Sequence, residues 1–362
     1  PKVDKLSWGR QNWFDWWAAE HKACREVVIA MDMTFMAKFL VQGREAGEFL
    51  NYVSANQVDG EAGMITYTQW LNHTGKLEAD LTVIKFNDEK YMVVATDTAH
   101  RHTEAWLKKN IGADQHVFVT DVTAAYGQLN IQGPRSRELL QSLTTADLSN
   151  EAFPFRGVRE IDIGLARVTC VRITYLGELG YELNIPAEQA THVYDLIVEK
   201  GSEFGLRHAG LKALASLRME KGYRDYGHDI DNTDDPYEVG LGFAVNLNKE
   251  GDFIGKAECV KKKAGAPYSK RLVQVLVKDP QPMMFHAEIV RRNGIVVGDV
   301  RAASYGHTLG GAVGLAFVEG EVVNKAWLDE GKWEVEIAGE TYPATVSFLS
   351  LIHISEPTRP MK

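Results

Sequence analysis

The chain changes character near residue 268, and this change limits the folds open to it more than any other feature. From Arg271 onward, short runs of β-branched and alternating residues follow one another, as in β-strands. Two dipeptides there, Asn293-Gly294 and Ala338-Gly339, mark tight hairpins. Strands are expected at 271–278, 286–292, 295–303, 312–318, 332–337 and 340–347. Such a run of short strands predicts a small C-terminal antiparallel β-barrel.

The part of the chain before this boundary mixes helical and strand patterns. Helices are expected at 15–26, 42–55, 99–110, 134–143, 188–204 and 209–221. Strands are expected at 27–41, 64–71, 77–86, 90–96, 116–121, 126–132, 166–175 and 180–186. A chain of 362 residues can support two or three domains. The sequence therefore predicts an α+β fold with one domain boundary near residue 268.

Composition and charge exclude several classes of function. A net charge of −9 leaves no basic stripe for a nucleic-acid partner. No apolar run approaches the length of a membrane span, which argues against a membrane role. The cysteines Cys24, Cys170 and Cys259 are scattered, which indicates reduced thiols in the cytoplasm or mitochondrial matrix. His100 and His102 share a helix candidate without further ligands, so we expect no metal site.

One predicted hairpin carries a candidate polar site. The residues 72–75, Asn-His-Thr-Gly, form a turn signal between two strand patterns. Pairing of Leu71 with Lys76 would place Tyr67 directly opposite Asp80, where cross-strand side chains touch. A tyrosine beside a carboxylate is a plausible start of a binding site. A solvated strand face with an incidental aspartate explains the same pattern.

Further motifs follow the hairpin in a fixed order. They are Tyr-Leu-Gly-Glu-Leu-Gly-Tyr-Glu at 175–182, Ser-Leu-Arg-Met-Glu at 216–220, Asp-Pro-Tyr-Glu-Val-Gly-Leu-Gly at 235–242 and Asp-Phe-Ile-Gly-Lys at 252–256. Together with the hairpin they resemble the glycine-cleavage T-protein family, the tetrahydrofolate-dependent aminomethyltransferases. The interval of thirteen residues from Tyr67 to Asp80 is the family's own. The resemblance spans 18–349 and implies a T-protein-like multidomain folate-binding fold. In it, 18–268 form two intertwined α+β subdomains that bind folate, and 269–349 form the C-terminal barrel.

Two segments indicate a branch of this family. The residues 7–14 and 220–224 are more similar to the C-terminal halves of sarcosine and dimethylglycine dehydrogenases, in which a flavin domain comes first. Residues 1–17 are accordingly interpreted as a remnant of the junction with a missing N-terminal flavoprotein domain. FAD would bind only there, because no Gly-x-Gly-x-x-Gly follows a strand in this chain.

The resemblance also implies a reaction. It is tetrahydrofolate-dependent transfer of a one-carbon unit, taken from an imine derived from a small methylated amine or from formaldehyde, to form 5,10-methylenetetrahydrofolate. Three alternatives share the fold: a stand-alone glycine-cleavage T-protein, a non-catalytic regulatory subunit, and a dimethylsulfoniopropionate-type demethylase.

The family's motifs imply roles for individual residues. Asp80 would be the catalytic carboxylate, which holds the weakly basic N10 of folate and relays its proton. Ala79 stands where the family often has a further aspartate. Glu182 matches the glutamate that holds the pterin. Glu178 is the alternative, and strand parity puts both on one face. Tyr67 would stack on or edge the folate rings.

Three more residues are candidates for folate contact. Tyr175 would join Tyr67 against the rings. Arg218 would bind the glutamate tail of folate, or would form a structural pair with Glu220 or Asp225. For Tyr226 a folate contact and a structural role are both open.

The two ends of the chain carry their own expectations. An aromatic stripe forms either core or a contact with the missing flavin domain; it consists of Trp13, Phe14, Trp16 and Trp17. His307 is expected to be structural. Residues 350–362 depart from the family pattern and are similar to a translated sequencing adapter, so we expect a non-native tail that does not pack.

Overall fold

The computed structural model of the chain describes residues 2–5, 7 and 9–354. It confirms the α+β class. The helices are α1 Phe14–Glu26, α2 Ala46–Val53, α3 His100–Asn110, α4 Ser136–Gln141, α5 Ala190–Gly201, α6 Leu211–Glu220, α7 Lys256–Ala264 and α8 Lys325–Asp329. The strands of the first part are β1 Ile29–Asp32, β2 Ala37–Gln42, β3 Met64–Leu71, β4 Leu77–Asn87, β5 Lys90–Ala95, β6 Phe118–Asp121, β7 Tyr126–Gln132, β8 Val158–Ile163, β9 Ala166–Val171, β10 Gly180–Pro186 and β11 Arg207–His208. The strands that follow are β12 Lys270–Val277, β13 Ile289–Arg292, β14 Ile295–Gly306, β15 Gly311–Glu319, β16 Trp333–Ile337 and β17 Glu340–Ser347.

The first sheet has five antiparallel strands in the order β3-β4-β5-β2-β6. Its apolar face packs with residues of α2 and α3 in one core cluster, which includes Phe39, Trp70, Leu81 and Val93. Because side chains alternate along a strand, the neighbouring positions point to the opposite face. Asp80 lies on that opposite face, between Ala79 and Leu81 of the core.

The second sheet has six strands in the order β11-β1-β7-β10-β9-β8. The pairing of β1 with β11 is parallel and the other pairings are antiparallel. One face packs with α4 and α5 through residues such as Ile131, Tyr181 and Leu183. By the same alternation, its other face carries polar side chains. They are Gln128, Asn130 and Gln132 of β7 with Glu182 and Asn184 of β10.

The two sheets turn these second faces toward each other. A small apolar cluster joins Ile65 and Met92 of the first sheet to Val158 and Val171 of the second. Arg156 adds a polar link, since its guanidinium donates to the Ile65 carbonyl at 2.9 Å and to Thr66 Oγ1 at 2.9 Å. Beside these contacts the two facing surfaces are polar. We call the region between Lys38, Asp80 and Thr82 on one sheet and Asn130 and Glu182 on the other the inter-sheet gap.

The C-terminal strands form the expected barrel. They close in the order β12-β15-β14-β13-β16-β17, with every pairing antiparallel. Both predicted hairpin turns are confirmed. Asn293 and Gly294 have positive φ values of 54° and 79°, and Ala338 and Gly339 have 51° and 86°. Two successive positive φ values are the hallmark of the tight turns whose twist matches paired strands.

Glu220 at the end of α6 connects the N-terminal helix to the barrel. Its Oε1 accepts hydrogen bonds from the backbone N–H groups of Thr308 at 2.7 Å and Leu309 at 3.2 Å. Its Oε2 accepts one from Arg25 of α1 at 2.9 Å and lies 3.1 Å from His21 Nε2. Burial alone would raise the pKa of Glu220, but His21 and Arg25 lower it to about 2. The Glu220 carboxylate therefore links α6, α1 and the C-terminal barrel through buried hydrogen bonds and ion pairs.

Some sequence-based boundaries are wrong for a physical reason. The strand expected at 27–41 is two strands, β1 and β2, which belong to different sheets. A turn separates them, in which the Thr34 N–H donates to Asp32 Oδ1 at 2.9 Å and the Met36 N–H to the Met33 carbonyl at 3.1 Å. The helix expected at 42–55 is shorter, and β8, α7 and α8 were not predicted.

The aromatic stripe divides between core and surface. Phe14 and Trp17 are buried, and their rings pack on Tyr305 and His307 of the barrel side. Trp16 stays 61% exposed. His307 sits inside this cluster, where burial, and to a smaller extent the charge of His21, lower its pKa to about 4. A neutral, packed imidazole fits the structural role expected for it.

The expectation that 350–362 does not pack is wrong for the first residues of that segment. Ser350 Oγ donates to the Glu220 carbonyl at 2.6 Å, and the Leu351 N–H donates to Gln274 Oε1 at 2.5 Å. Leu351 and Ile352 are both buried. Residues 355–362 lie outside the described residues. The non-native origin of this segment stays a prediction.

Candidate functional site

The β3–β4 hairpin places Tyr67 and Asp80 together, although not in the predicted register. Asp80 pairs with Gln69, and Tyr67 pairs with Thr82. The expected direct opposition of Tyr67 and Asp80 is thus wrong by two positions: Leu71 pairs with Leu77 and not with Lys76, and a bulge between Trp70 and Leu71 adds the second position. A shift of two positions preserves the face. From the diagonal position, the Tyr67 hydroxyl still acts on the Asp80 carboxylate and lowers its pKa.

The surroundings of Asp80 shift its acidity toward neutral pH. Burial is the largest cause and raises the pKa of Asp80 to about 6, against the lowering effect of hydrogen bonds from Tyr67 and Gln69. The Gln69 bond is 2.9 Å from Nε2 to Asp80 Oδ1. Asp80 is nevertheless only half-buried. A carboxyl closely surrounded by protein that keeps accessible surface lines a recess, and with this pKa it can exchange a proton near neutrality.

Aromatic side chains surround Asp80. The Tyr175 hydroxyl donates to the Arg224 carbonyl at 2.5 Å, and its ring stacks on Tyr223 with centroids 6.0 Å apart. Burial holds the pKa of Tyr67 and of Tyr175 well above the usual value, and the negative charge of Asp80 adds to both shifts. Both phenols therefore stay protonated and can donate hydrogen bonds.

Phe243 is a further candidate residue of this site and was not predicted from the sequence. It is 78% exposed, yet its ring stacks on Tyr67 with centroids 6.1 Å apart and an interplanar angle of 26°. It follows the Gly240-Leu-Gly242 block in a short 3-10 turn. The available signal was an aromatic residue directly after Gly240-Leu-Gly242, but the exposure of its ring cannot be predicted from the sequence pattern.

Glu182 lies in the middle of β10, opposite Asn130 of β7. Asn130 Nδ2 donates to Glu182 Oε1 at 3.3 Å, and Gln128 Nε2 donates to Asn130 Oδ1 at 3.3 Å. Burial raises the pKa of Glu182 to about 7, while the charge of Lys38 and the Asn130 bond act in the opposite direction. Like Asp80, Glu182 is half-buried.

Amide groups around Glu182 contain buried polar atoms without a partner among the described residues. They are Gln128 Oε1, both side-chain polar atoms of Gln132, and Asn184 Oδ1; Gln69 Oε1 beside Asp80 is another. Buried polar atoms in native proteins are nearly always paired with protein, water or ligand. These atoms on the facing surfaces of the two sheets are free to hydrogen-bond water or a polar ligand.

The strand register relates Asp80 to Glu182. Lys38 of β2 pairs with Val94 of β5, and Val94 pairs with Thr82 of β4, so the three lie in one row across the sheet. Thr82 is two residues from Asp80 and shares its face. Glu182 is in turn the largest favourable charge acting on the Lys38 ammonium. Both carboxylates therefore face the inter-sheet gap.

Glu178 does not share the strand face of Glu182. The strand β10 begins at Gly180, so strand parity does not extend to residue 178. The Glu178 carboxylate forms an ion pair with Arg25 at 3.1 Å and lines a recess of about 160 Å³ together with Arg172 and Thr174. These contacts favour Glu182 over Glu178 as the carboxylate of the gap.

Arg218 has a partner that was not among those expected. Its NH1 donates to Asp229 Oδ2 at 2.5 Å and its NH2 donates to Asp229 Oδ1 at 3.0 Å, a bidentate pair that is buried on both sides. Asp225 is 4.0 Å away, and Glu220 is held by His21 and Arg25. The geometry supports the structural role for Arg218.

Tyr226 is half-buried and forms an isolated bridge with Ile230. Burial raises its pKa to about 12, with a smaller contribution from the charge of Glu78.

The two histidines considered as metal ligands each pair with a carboxylate. His100 pairs with Asp121 at 2.7 Å, and His102 pairs with Glu78 at 3.0 Å. Within the described residues no cluster of three or more potential metal ligands occurs. Over that same part of the chain, every helix is too short or too polar to span a bilayer.

Comparison with known proteins assigns both halves of the chain. The GCVT N-terminal domain matches residues 2–249, and the glycine cleavage T-protein C-terminal barrel domain matches residues 270–352. The structure is similar to aminomethyltransferase T of the glycine cleavage system from Bartonella henselae. The TM-score is 0.80 at 24% identity, over 92% of this chain and 88% of that one. This likeness supports the fold.

Curated relatives include enzymes and a regulatory protein. A 4-methylaminobutanoate oxidase (formaldehyde-forming) from Paenarthrobacter nicotinovorans is 40% identical over 94% of this chain and 40% of its own. The mitochondrial pyruvate dehydrogenase phosphatase regulatory subunit of Mus musculus is 32% identical over 92% and 40%. The mitochondrial sarcosine dehydrogenase of Mus musculus is 32% identical over 93% and 38%. The chain thus spans about two fifths of the length of these relatives. By both of its matched domains, the chain belongs to the glycine cleavage T-protein family of aminomethyltransferases, in a group related to sarcosine and dimethylglycine dehydrogenases.

Proposed function

We propose that this chain transfers a one-carbon unit to tetrahydrofolate, as the C-terminal part of a demethylating flavoenzyme similar to sarcosine or dimethylglycine dehydrogenase. The observation that carries the proposal is the inter-sheet gap, with Asp80 on one wall and Glu182 on the other, each half-buried and each with a pKa near neutrality. The family is folate-binding, and oxidases and dehydrogenases of methylated amines are among the relatives by name.

The side chains of the gap fit a pterin. The amino-pyrimidinone edge of a pterin presents adjacent N–H donors, which a carboxylate can accept in parallel. Glu182 Oε2 has no hydrogen-bond partner among the described residues, whereas Oε1 accepts from Asn130. The unpaired amide oxygens and nitrogen along β7 and β10 can serve the remaining heteroatoms of the ring. Tyr67, Tyr175 and Phe243 supply aromatic surface for the rest of the molecule.

Asp80 is the group placed to handle a proton. Tetrahydrofolate supplies the nucleophilic nitrogens for the reaction. The hydrogen bond from Gln69 orients the Asp80 carboxylate, and the Tyr67 hydroxyl favours its ionised form. In its ionised form Asp80 can accept a proton, and it can stabilise a cationic iminium in a partly dry pocket. The phenols of Tyr67 and Tyr175 stay neutral and act as hydrogen-bond donors.

The substitution Asp80→Asn tests this role. It keeps the shape and the contact with Gln69 but removes the base. We expect transfer of formaldehyde-level carbon to tetrahydrofolate to fall by about 10²- to 10⁴-fold, with folding largely preserved. In the parent protein the rate should decline as pH falls through about 6, where Asp80 becomes protonated. Asp162→Asn is the control, because its carboxylate is exposed on β8 beside Arg167. Equal rates for Asp80→Asn and the parent would remove Asp80 from the mechanism.

A non-catalytic regulatory module is the second candidate. It is favoured by the 32% identity to the regulatory subunit of pyruvate dehydrogenase phosphatase. The presence of Asp80, Glu182, Tyr67 and Tyr175 around the gap favours the enzyme. Calorimetric titration with tetrahydrofolate separates the two: micromolar affinity supports the enzyme, and no binding at millimolar ligand supports the module.

A further inference from the structure

Lys38 is a buried cation in the middle of the first sheet. Its neighbours Ala37 and Phe39 belong to the apolar core on one face, so Lys38 points to the other face and into the inter-sheet gap. The residue is 0% exposed. A lysine is almost never fully buried unless its charge has a use there, because taking an ammonium out of water is costly.

The contacts of Lys38 leave its charge uncompensated at close range. Its Nζ donates to the Met36 carbonyl at 2.8 Å and to the Thr34 carbonyl at 3.2 Å. No carboxylate of the described residues lies within the 4.0 Å of a salt bridge. Two acidic groups act on it from a greater distance, Glu182 of β10 most strongly and Asp32 of β1 less so. Asp32 is exposed and already accepts the Thr34 N–H.

The relation between Lys38 and Glu182 is reciprocal. Lys38 is the charge that favours the ionised form of Glu182, and Asn130 supplies the one hydrogen bond that does so. The two side chains come from different sheets and approach the gap from opposite sides. A ligand bound by the Glu182 carboxylate would therefore meet a group whose charge depends on Lys38.

We propose that Lys38 is a positioning residue for Glu182: its buried ammonium, facing Glu182 across the inter-sheet gap, keeps that carboxylate ionised so that it accepts paired N–H donors from the pterin edge. This inference rests on the proposed function, because it assumes that Glu182 holds the pterin. Lys38 itself contacts neither the pterin nor the transferred carbon.

The expected signature is a shift along the pH axis. Burial raises the pKa of Glu182 to about 7, so the affinity of the parent protein should fall as pH drops below about 7. Removal of the Lys38 charge raises that pKa further. One pH unit of displacement corresponds to about a tenfold change in affinity on the acid limb. At high pH the variant and the parent should converge, because Glu182 is then ionised in any case and because burial lowers the pKa of Lys38 to about 8, so that the parent loses the lysine charge as well.

The test is calorimetric titration with 5-formyltetrahydrofolate between about pH 6 and about pH 9, for the parent, Lys38→Met, Lys38→Gln and Lys38→Arg. We expect Lys38→Met to bind about tenfold more weakly near pH 6 and about fivefold more weakly at neutral pH, and to recover at the alkaline end, whereas Lys38→Arg should follow the parent. Lys38→Gln retains a donor for the Thr34 and Met36 carbonyls, so it reports on charge alone if the methionine variant fails to fold.

Two results would overturn the proposal. One is a neutral variant whose affinity matches the parent at every pH. The other is a loss of the same size at every pH, which indicates a structural role. Glu182→Gln separates this inference from the proposed function. Unchanged binding in Glu182→Gln refutes the pterin role of Glu182 itself, whereas weakened binding there with a normal Lys38→Met refutes only the role of Lys38.

Discussion

The contacts of Glu220 with α1 and the barrel give a quantitative prediction about stability. Replacement by glutamine keeps an oxygen that can accept from the Thr308 and Leu309 N–H groups, but it removes the charge that Arg25 and His21 engage. Glu220 is 0% exposed, so solvent does not screen these contacts. Its pKa of about 2, against an ordinary value of 4.5, corresponds to about 3 kcal/mol of stabilisation. Breaking a buried ion pair by removal of one partner typically costs about 3–5 kcal/mol.

The pH dependence has a definite sign. Because the folded-state pKa of Glu220 is depressed, its contribution is fully present above the unfolded value of 4.5 and is lost as pH falls toward about 2. Urea unfolding of Glu220→Gln at neutral pH should therefore give a free energy of unfolding about 3 kcal/mol below that of the parent. The difference between the two proteins should shrink steadily in acid.

A matched control is Glu203→Gln. Glu203 lies in the short 3-10 turn Ser202–Phe204 after α5 and pairs with Lys200 at 2.9 Å, but its side chain is 61% exposed. Its substitution should change the free energy of unfolding by no more than about 0.5 kcal/mol. The reasoning would be refuted if Glu220→Gln cost less than about 1 kcal/mol at neutral pH, or if its cost did not depend on pH.

Two further predictions concern the Arg218–Asp229 pair and Phe243. Asp229→Asn leaves the Arg218 guanidinium buried without its bidentate partner, so urea unfolding should show a loss of about 3–5 kcal/mol; a loss near zero would mean that the pair is not needed for folding. Phe243→Ala removes an exposed ring that stacks on Tyr67. It should weaken tetrahydrofolate binding by about 1 kcal/mol in calorimetry while the unfolding midpoint stays unchanged. Parent-like binding would exclude Phe243 from the folate contact.

Local pattern predicted the helices and strands well where one face of an element is buried. The strand β4 shows why: Leu77, Ala79, Leu81 and Val83 are buried in alternation with half-buried residues, so its type and limits follow from the sequence. The barrel hairpins were equally accessible, since Asn-Gly and Ala-Gly pairs adopt the positive φ values that such turns need.

The pairing between distant segments could not be predicted from local sequence patterns. The run 27–41 is β-prone throughout, and only the sheet each half joins shows that it contains two strands. The partner of Arg218 depends on the loop that returns Asp229 to α6, which local periodicity does not encode. Phe243 and Lys38 could not be predicted from the sequence. The exposure of the Phe243 ring and the position of Lys38 opposite Glu182 both depend on the tertiary structure. The family resemblance supplied Asp80 and Glu182; their convergence on one gap required the structure.

The bulge at the end of the β3–β4 ladder has a consequence for variation in length. Trp70 pairs with Ala79 and Leu71 with Leu77, so Glu78 is the extra residue. Beyond it, the tip packs closely on the start of α7, where Gly75 approaches Glu258 and Gly255 approaches Asn72. This close packing restricts changes of length at the tip itself, whereas the irregular step at Glu78 can absorb a gained or lost residue without rotating the strand behind it. A change of one residue at the bulge would therefore leave the orientation of Asp80 unchanged, whereas a one-residue change between 80 and 87 would turn either Asp80 or the strand after it to the wrong face.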